Sequence, residues 1–120
     1  MIKKKSILIT GCSSGIGLDS ALTLNDHGWR VFATCRKQKD CDELKLQGLE
    51  SFVLDYESTD SIALALENVF RLTGGTLDAL FNNGAYAIPG AVEDLPREAL
   101  KQNFEANVLD GTILLCKLFQ

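Results

Sequence analysis

The 120 residues are 46% hydrophobic and 23% charged, a length and composition typical of one globular domain. The net charge of −4, with Lys3-Lys4-Lys5 as the only basic block, argues against a nucleic-acid partner. No stretch reaches the roughly 18 apolar residues of a membrane span, and the apolar run after the lysines is too short for a secretory signal peptide.

Short apolar runs of strand length alternate along the chain with segments of helical period. The predicted strands are Ser6–Thr10, Trp29–Cys35, Ser51–Leu54 and Asp78–Phe81. A first crossover helix is predicted at Ile16–His27, with Gly28 as its C-cap, and a weaker helix at Lys39–Leu46. This alternation is typical of βαβ units, so we expect an α/β fold with a parallel sheet covered on both faces.

Three more helices are predicted in the second half of the chain. The first is N-capped by Ser58 or Thr59, carries an apolar stripe, and ends at Gly74-Gly75. The elements predicted after the fourth strand are a loop at Gly84–Glu93, a helix at Pro96–Phe104 and a longer apolar helix from about Glu105.

The cysteines do not indicate a metal or disulfide framework. Cys12, Cys35, Cys41 and Cys116 form no C-x-x-C pair, and His27 is the only histidine. We therefore expect no metal site, and reduced thiols in a cytoplasmic protein.

A glycine-rich loop, Thr10–Gly17, lies between the first strand and the first helix, where a nucleotide-binding βαβ unit holds its phosphates. Gly11 allows a sharp turn, Gly15 allows close approach of a pyrophosphate, and Gly17 allows tight packing of the helix against the sheet. A turn that is glycine-rich without a ligand is the alternative. The spacing G-x-x-x-G-x-G differs from the G-x-G-x-x-G fingerprint, and no Lys-Ser or Lys-Thr follows as in a P-loop.

With this spacing, T-G-C-S-S-G-I-G-L resembles the T-G-x-x-x-G-x-G motif of the short-chain dehydrogenase/reductase family, especially its hydroxysteroid and retinol dehydrogenase-like members. Three further family landmarks follow in order: Asp55 in L-D-Y, Asn82-Asn83-Gly84-Ala85 in place of N-N-A-G, and Asn107 at the catalytic asparagine. The resemblance implies the N-terminal half of a Rossmann fold, a doubly wound parallel sheet with strand order 3-2-1-4. Residues 1–120 would then form a single partial NAD(P)-binding domain.

The resemblance also implies which residues hold the cofactor. They are Gly11, Ser13, Ser14, Gly15, Ile16, Gly17, Arg36, Asp55, Tyr56, Asn83, Gly84 and Ala85. Asp55 would contact the adenine, although an aspartate here can also cap the turn before the next helix. Asn107 would hold a water molecule in the family's proton relay.

Two departures from the family pattern affect this site. Gly84 and Ala85 reverse the family's A-G order, so the loop stays small while its backbone is expected to shift. Asp110 stands three residues after Asn107, where the family has glycine, and Gly111 follows it. We therefore expect altered packing of the last helix.

Arg36 bears on the choice of cofactor. It comes just after the second strand, where the ribose should lie, and a guanidinium can pair bidentately with a 2′-phosphate. An NAD enzyme would usually place an acidic residue around Cys35. We therefore expect NADP rather than NAD, the alternative being an exposed arginine beside Lys37.

Family members use a Y-x-x-x-K pair and a serine to transfer hydride between a nicotinamide and an alcohol or carbonyl substrate. Here Tyr56 and Tyr86 are followed four residues later by Asp60 and Gly90, so the pair is absent. We expect an NADP(H)-dependent oxidoreductase of hydrophobic alcohols or carbonyls, present here as an N-terminal fragment that is inactive alone.

Two other functions remain open from the sequence. One is a non-catalytic dinucleotide-binding or interaction module. The other is a nucleotide-binding fold with different chemistry, such as a methyltransferase, which the missing acidic residue after the second strand disfavours. In each case the open edge of the fourth strand and the apolar last helix predict self-association of the chain.

Overall fold

The computed structural model describes residues 3–84 and 89–118. Its strands are β1 (Ser6–Ile9), β2 (Arg30–Cys35), β3 (Glu50–Val53) and β4 (Ala79–Phe81). They form one parallel sheet in the order β3-β2-β1-β4, which confirms the predicted order 3-2-1-4. Each observed strand end lies within one residue of its predicted position.

The helices follow the predicted alternation with the strands. They are α1 (Gly15–Asp26), α2 (Gln38–Leu46), α3 (Thr59–Thr73), a 3₁₀ turn (Val92–Asp94), α4 (Arg97–Phe104) and α5 (Asp110–Leu118). Ser58 caps α3 by accepting a hydrogen bond from the Ser61 N–H at 3.2 Å, and Gly74 ends α3 in the left-handed conformation. In the described parts of the chain, no helix is long and apolar enough to cross a membrane.

The predicted boundary at Glu105 is a change of helix type and not a break. A π-helical turn, Glu105–Leu109, joins α4 to α5 while the backbone stays in the right-handed helical region. The Thr112 hydroxyl donates to the Val108 carbonyl at 2.6 Å at this junction. Single π-helical turns inside α-helices are frequent near functional sites.

Both faces of the sheet are covered, as the continuous apolar strands predict. Ile7 and Ile9 of β1 point to one face and Leu8 points to the other, because side chains alternate along a strand. The first face packs on α1 and α2 through buried residues that include Val31, Ala33, Ala21, Cys41 and Leu44. The second face packs on α3 and α5 through Phe32, Ile62, Leu66, Val69 and Leu114.

The β4 edge is the less protected side of the sheet. β4 pairs only with β1, and its three residues are half-buried. An apolar groove of about 490 Å³ lies beside it, lined by residues of α3, β4 and α5. The self-association expected through this edge and the last helix stays a prediction.

Candidate functional site

A cleft of about 450 Å³ lies at the carboxyl ends of the strands. This is where open α/β sheets bind ligands. Its lining residues are Gly11, Ser13, Ser14, Cys35, Arg36, Lys37, Asp40, Asp55, Tyr56, Glu57, Asn83 and Ala106. Seven of them are among the cofactor-binding residues predicted from the sequence, and the fold brings them together from four separate segments of the chain.

The other predicted cofactor residues that the structure describes do not line the cleft. Ile16 points outward with 70% of its surface exposed. Gly15, Gly17 and Gly84 lie next to lining residues and shape the cleft through their backbone. Ala85 lies outside the described residues.

The glycine loop needs its glycines for two different reasons. Gly11 and Gly15 have φ angles of +68° and +61°, a left-handed conformation that disfavours residues with a Cβ. At Gly17 the reason is space, because a Cβ would overlap the Gly11 carbonyl oxygen and lie 2.8 Å from the Asn83 side-chain nitrogen. The close neighbours of Gly17 are therefore the glycine loop and the loop after β4. The sequence pattern had predicted contact with the sheet instead.

The N-terminus of α1 points its free donors towards the cleft. Ser14 is the N-cap residue, but its side chain makes no capping hydrogen bond, and the first turn contains no acidic residue. The first N–H groups of a helix have no intrahelical acceptor and carry partial positive charge. This end of the cleft is therefore suited to an anion such as a phosphate group.

Arg36 and Lys37 supply positive charge where the cleft borders the carboxyl end of β2. Among the described residues the only ion pair joins Arg30 to Glu50 at 2.8 Å, so neither Arg36 nor Lys37 is paired with a carboxylate. Asp40 of α2 also lines the cleft. The sequence analysis singled out Arg36 but missed Asp40, because its place in the cleft depends on how α2 packs.

Asp55 can both shape the turn before α3 and contact a ligand, the two roles considered in the sequence analysis. Its Oδ1 accepts the Glu57 N–H at 3.0 Å, and its own N–H donates to the Ser61 hydroxyl at 2.9 Å, so it shapes the turn before α3. It also lines the cleft. The capping role therefore does not exclude a contact with a ligand.

Thr10 organises the loop at the end of β4, a role that the sequence analysis did not assign to it. Its hydroxyl oxygen accepts the N–H groups of Asn83 at 2.9 Å and Gly84 at 2.8 Å. The Asn83 side chain in turn donates to the carbonyl oxygens of Thr10 and Gly11, at 3.2 and 3.3 Å. The glycine loop and the β4 loop are thus held against each other.

Asn107 lies in the π-helical turn and not among the lining residues, although its neighbour Ala106 is one of them. It is exposed, and its side-chain amide donates to Asn103 Oδ1 at 2.6 Å. The structure therefore does not bring the predicted catalytic asparagine into the cleft with the other predicted residues.

Asp110 and Gly111, where the sequence departs from the family pattern, lie in different surroundings. Gly111 meets the β4 loop, since its carbonyl oxygen accepts the Asn82 side-chain amide at 2.9 Å and a Cβ there would lie 2.8 Å from that nitrogen. Asp110 is 7% exposed, and its Oδ2 has no hydrogen-bond partner among the described residues. Burial, and then the nearby carboxylates of Glu105, Glu57 and Asp55, raise the pKa of Asp110.

The buried cysteines near the cleft are thiols. Burial raises the pKa of Cys12 to about 11 and that of Cys35 to about 12. Cys12 also donates to the Ile9 carbonyl oxygen at 3.2 Å. Since the thiolate is the reactive form, these side chains act as small core residues.

A model of the short chain dehydrogenase family matches residues 5–120. The chain belongs to this family. It is 38% identical over 117 residues to the uncharacterized oxidoreductase YbbO of Escherichia coli K12, covering 98% of the chain and 44% of that protein. An NADPH-dependent 1-acyldihydroxyacetone phosphate reductase of Schizosaccharomyces pombe is 35% identical over 122 residues, covering 100% of the chain and 40% of that protein.

The mouse retinol dehydrogenase 16 is 35% identical over 117 residues, with 94% of the chain and 36% of that protein covered. Among solved structures, a short-chain dehydrogenase from Streptomyces avermitilis superposes with a TM-score of 0.91 at 28% identity, covering 99% of the chain and 44% of its own length. An actinorhodin polyketide ketoreductase with NADPH gives a TM-score of 0.86 at 28% identity, covering 98% and 47%. The chain thus spans less than half the length of the proteins it matches.

Proposed function

We propose that the protein is an NADP(H)-dependent oxidoreductase that transfers hydride between the nicotinamide and a small hydrophobic alcohol or carbonyl substrate. One observation carries this proposal. A single cleft is lined both by the uncapped N-terminus of α1 and by Arg36 and Lys37, neither of which is paired with a carboxylate among the described residues. That arrangement suits a ligand with a pyrophosphate and a second, separate phosphate.

The lining residues fit such a cofactor along the whole cleft. The pyrophosphate would lie against Gly11, Ser13 and Ser14, and Asp55 would contact the adenine. The 2′-phosphate would pair with Arg36, whose planar guanidinium can form two parallel hydrogen bonds to it, with Lys37 beside it. When bound, the cofactor supplies or accepts the hydride.

NADPH is favoured over NADH on two further grounds. No acidic residue stands at the end of β2, where Cys35 is followed by Arg36 and Lys37. One relative is named as NADPH-dependent, while one structural neighbour was solved with NADPH and another with NADH. Each of those names describes another protein and lends support here by likeness alone.

Residues 1–120 by themselves are proposed to bind the cofactor without turning over substrate. The family's Y-x-x-x-K pair, which would hold and move the proton at the substrate oxygen, does not occur in this sequence. We propose a cytoplasmic location for the natural protein, from the reduced state expected of its cysteines.

The test is a fluorescence titration of the protein, in its natural full length, with NADPH and NADH. We expect tighter binding of NADPH. In Arg36→Ala the NADPH dissociation constant should rise about tenfold or more, since a charge-assisted hydrogen bond contributes about 1.5–3 kcal/mol, while the NADH constant should change little.

Arg71→Ala is the matched control, because Arg71 lies in α3 and donates to Asn68 instead of lining the cleft. It should leave both constants unchanged. Equal loss of NADPH and NADH affinity in Arg36→Ala would contradict the assignment of NADP. Tight NADPH binding by the natural protein, with no oxidation or reduction across a panel of hydrophobic alcohols and carbonyls, would favour a non-catalytic dinucleotide-binding module.

A further inference from the structure

Tyr56, three residues after the end of β3, joins the carboxyl ends of three strands. Its hydroxyl lies 2.8 Å from the Thr10 hydroxyl after β1 and donates to Asn82 Oδ1 after β4. The Asn82 side chain continues to the Gly111 carbonyl oxygen in α5. A single phenol hydroxyl thus links β1 to β4, and through Asn82 it links both to the helix beyond the π-helical turn.

The direction of every proton in this chain follows from counting donors and acceptors. Tyr56 has one proton and donates it to Asn82, so the Thr10 hydroxyl must donate to Tyr56. Both lone pairs of the Thr10 oxygen then accept the N–H groups of Asn83 and Gly84. Burial raises the pKa of Tyr56, which keeps its hydroxyl protonated as this chain requires.

The ring of Tyr56 leaves no room for a side chain at position 84. A Cβ built on Gly84 would lie 2.6 Å from Tyr56 Cε2 and 3.0 Å from its hydroxyl oxygen. The ring cannot swing aside without giving up its hydrogen bonds to Thr10 and Asn82. Gly84 has no left-handed φ angle, so the need for glycine here comes from the ring and not from the backbone.

We propose that Tyr56 is a positioning residue that clamps the Asn82–Gly84 turn beside the cofactor cleft, and that its ring is the reason for glycine at position 84. Glycine then precedes alanine in this turn because the Tyr56 ring occupies the space that a side chain at position 84 would need. The inference rests on the proposed function, because the cleft is taken as the NADPH site. It assigns Tyr56 a role exerted through the turn, in addition to any contact with the cofactor.

The test is a double-mutant cycle between positions 56 and 84 in the natural full-length protein, read by NADPH dissociation constant and by thermal midpoint. Gly84→Ala alone should weaken NADPH binding by about tenfold or more, because the methyl group displaces the ring or the turn. In Tyr56→Val the same methyl group should change binding by less than about twofold, since the space is then open. Tyr56→Phe keeps the ring and should weaken binding by about threefold to tenfold through the lost hydrogen bonds.

Gly90→Ala is the matched control, because among the described residues its added Cβ would meet only the flexible Leu95 side chain, at 3.1 Å. Gly90→Ala should change the NADPH dissociation constant and the thermal midpoint by the same amount whether tyrosine or valine stands at position 56. If Gly84→Ala fails to fold, recovery of folding in the Tyr56→Val, Gly84→Ala double variant supports the proposal, and a double variant that also fails overturns it. An equal loss of NADPH affinity on Gly84→Ala with tyrosine and with valine at position 56 would overturn the proposal as well.

The cycle separates this inference from the proposed function. If the unsubstituted protein does not bind NADPH, the proposed function fails, while the thermal midpoints of the four proteins still report the coupling between positions 56 and 84. If NADPH binds but the two substitutions act independently, the proposed function stands and the positioning role of Tyr56 is wrong.

Discussion

β1 and β2 are buried along almost their whole length, whereas all three residues of β4 are half-buried. β1 has a hydrogen-bonded neighbour on each side, but β4 has one neighbour and an apolar groove. Exposed large apolar side chains occur on the helices of both regions, and those of α1, α2 and α3 are Ile16, Leu46, Leu64 and Leu72. The exposed large apolar side chains of α4, the π-helical turn and α5 include Leu100, Phe104, Val108, Leu109 and Leu115.

The β1–α1–β2 unit and the β4–α5 region therefore depend on different interactions. The β1–α1–β2 unit, which carries the glycine loop, packs against neighbours on both sides and both faces of the sheet. The β4–α5 region is held by β1, α3 and a few polar contacts such as Asn82 to Gly111. Four predictions test this contrast, from the largest expected effect to the smallest.

The first prediction compares two leucines that are both fully buried, Leu8 in β1 and Leu114 in α5. Leu8→Ala should lower the free energy of unfolding by about 4 kcal/mol, because its close-packed surroundings cannot collapse into the cavity. Leu114→Ala should lower it by about 2 kcal/mol, since the half-exposed neighbours of α5 can move inward. Urea unfolding of the two variants measures both values, and equal losses would show that the β4–α5 region is packed as rigidly as β1.

The second prediction concerns the tightest point of the glycine loop. Gly17→Ala should lower the free energy of unfolding by about 3 kcal/mol and abolish NADPH binding, because the new methyl group overlaps the Gly11 carbonyl oxygen. Gly15→Ala should lower it by about 1 kcal/mol, since its Cβ would meet no atom of the described residues within 4 Å and the unfavourable feature is its φ angle of +61°. Thermal unfolding and NADPH titration separate the two, and a Gly17→Ala protein that binds NADPH normally would refute this geometry.

The third prediction is a pH dependence that arises at Asp110. Its pKa is raised by burial above an unfolded value of about 3.9, so the charged carboxylate destabilises the fold at neutral pH. That penalty disappears as the pH falls through the raised pKa towards about 3.9. Asp110→Asn should therefore raise the free energy of unfolding by about 1 kcal/mol at pH 7, the low end for a buried polar group without a partner, and by less as the pH falls.

Urea unfolding between pH 4 and 8 checks this, with Asp19→Asn at an exposed position as the control for removing one negative charge. A stabilisation by Asp110→Asn that stays constant over this range would contradict a raised pKa of Asp110, and a loss of stability at pH 7 would show that its carboxylate has a partner.

The fourth prediction is self-association of residues 1–120 through the β4 edge and α5. Light scattering should give a mass above the 13.1 kDa of one chain, because an unpaired strand edge and a groove beside it favour pairing with a second copy. Leu115→Lys, at a position 42% exposed, should shift the population towards monomer with little effect on stability. A monomer at all concentrations before any substitution would show that the edge is protected in another way.

The sequence was most informative where structure is decided by nearby residues. The glycine spacing predicted the turn at Gly11 and the start of α1, and Ser58 and Gly74 marked the two ends of α3. Strand order followed from the family resemblance, and the structure confirms it. These features depend on backbone conformation and on capping, which a few consecutive residues settle.

The sequence was least informative where residues far apart in the chain meet. Asn107 lies in the π-helical turn and is not among the residues that line the cleft, so its role in a proton relay stays a prediction. The reversed order of Gly84 and Ala85 had no explanation until the Tyr56 ring was found against Gly84.

The sequence by itself therefore determined the family, the alternation of strands and helices, and the loop suited to phosphate. Only the tertiary structure decided how Thr10, Tyr56 and Asn82 share their protons, and which glycine meets Asn82. The physical reason is that helix caps and turns are local interactions, whereas side-chain hydrogen bonds and close contacts between loops depend on how the sheet brings strand ends together.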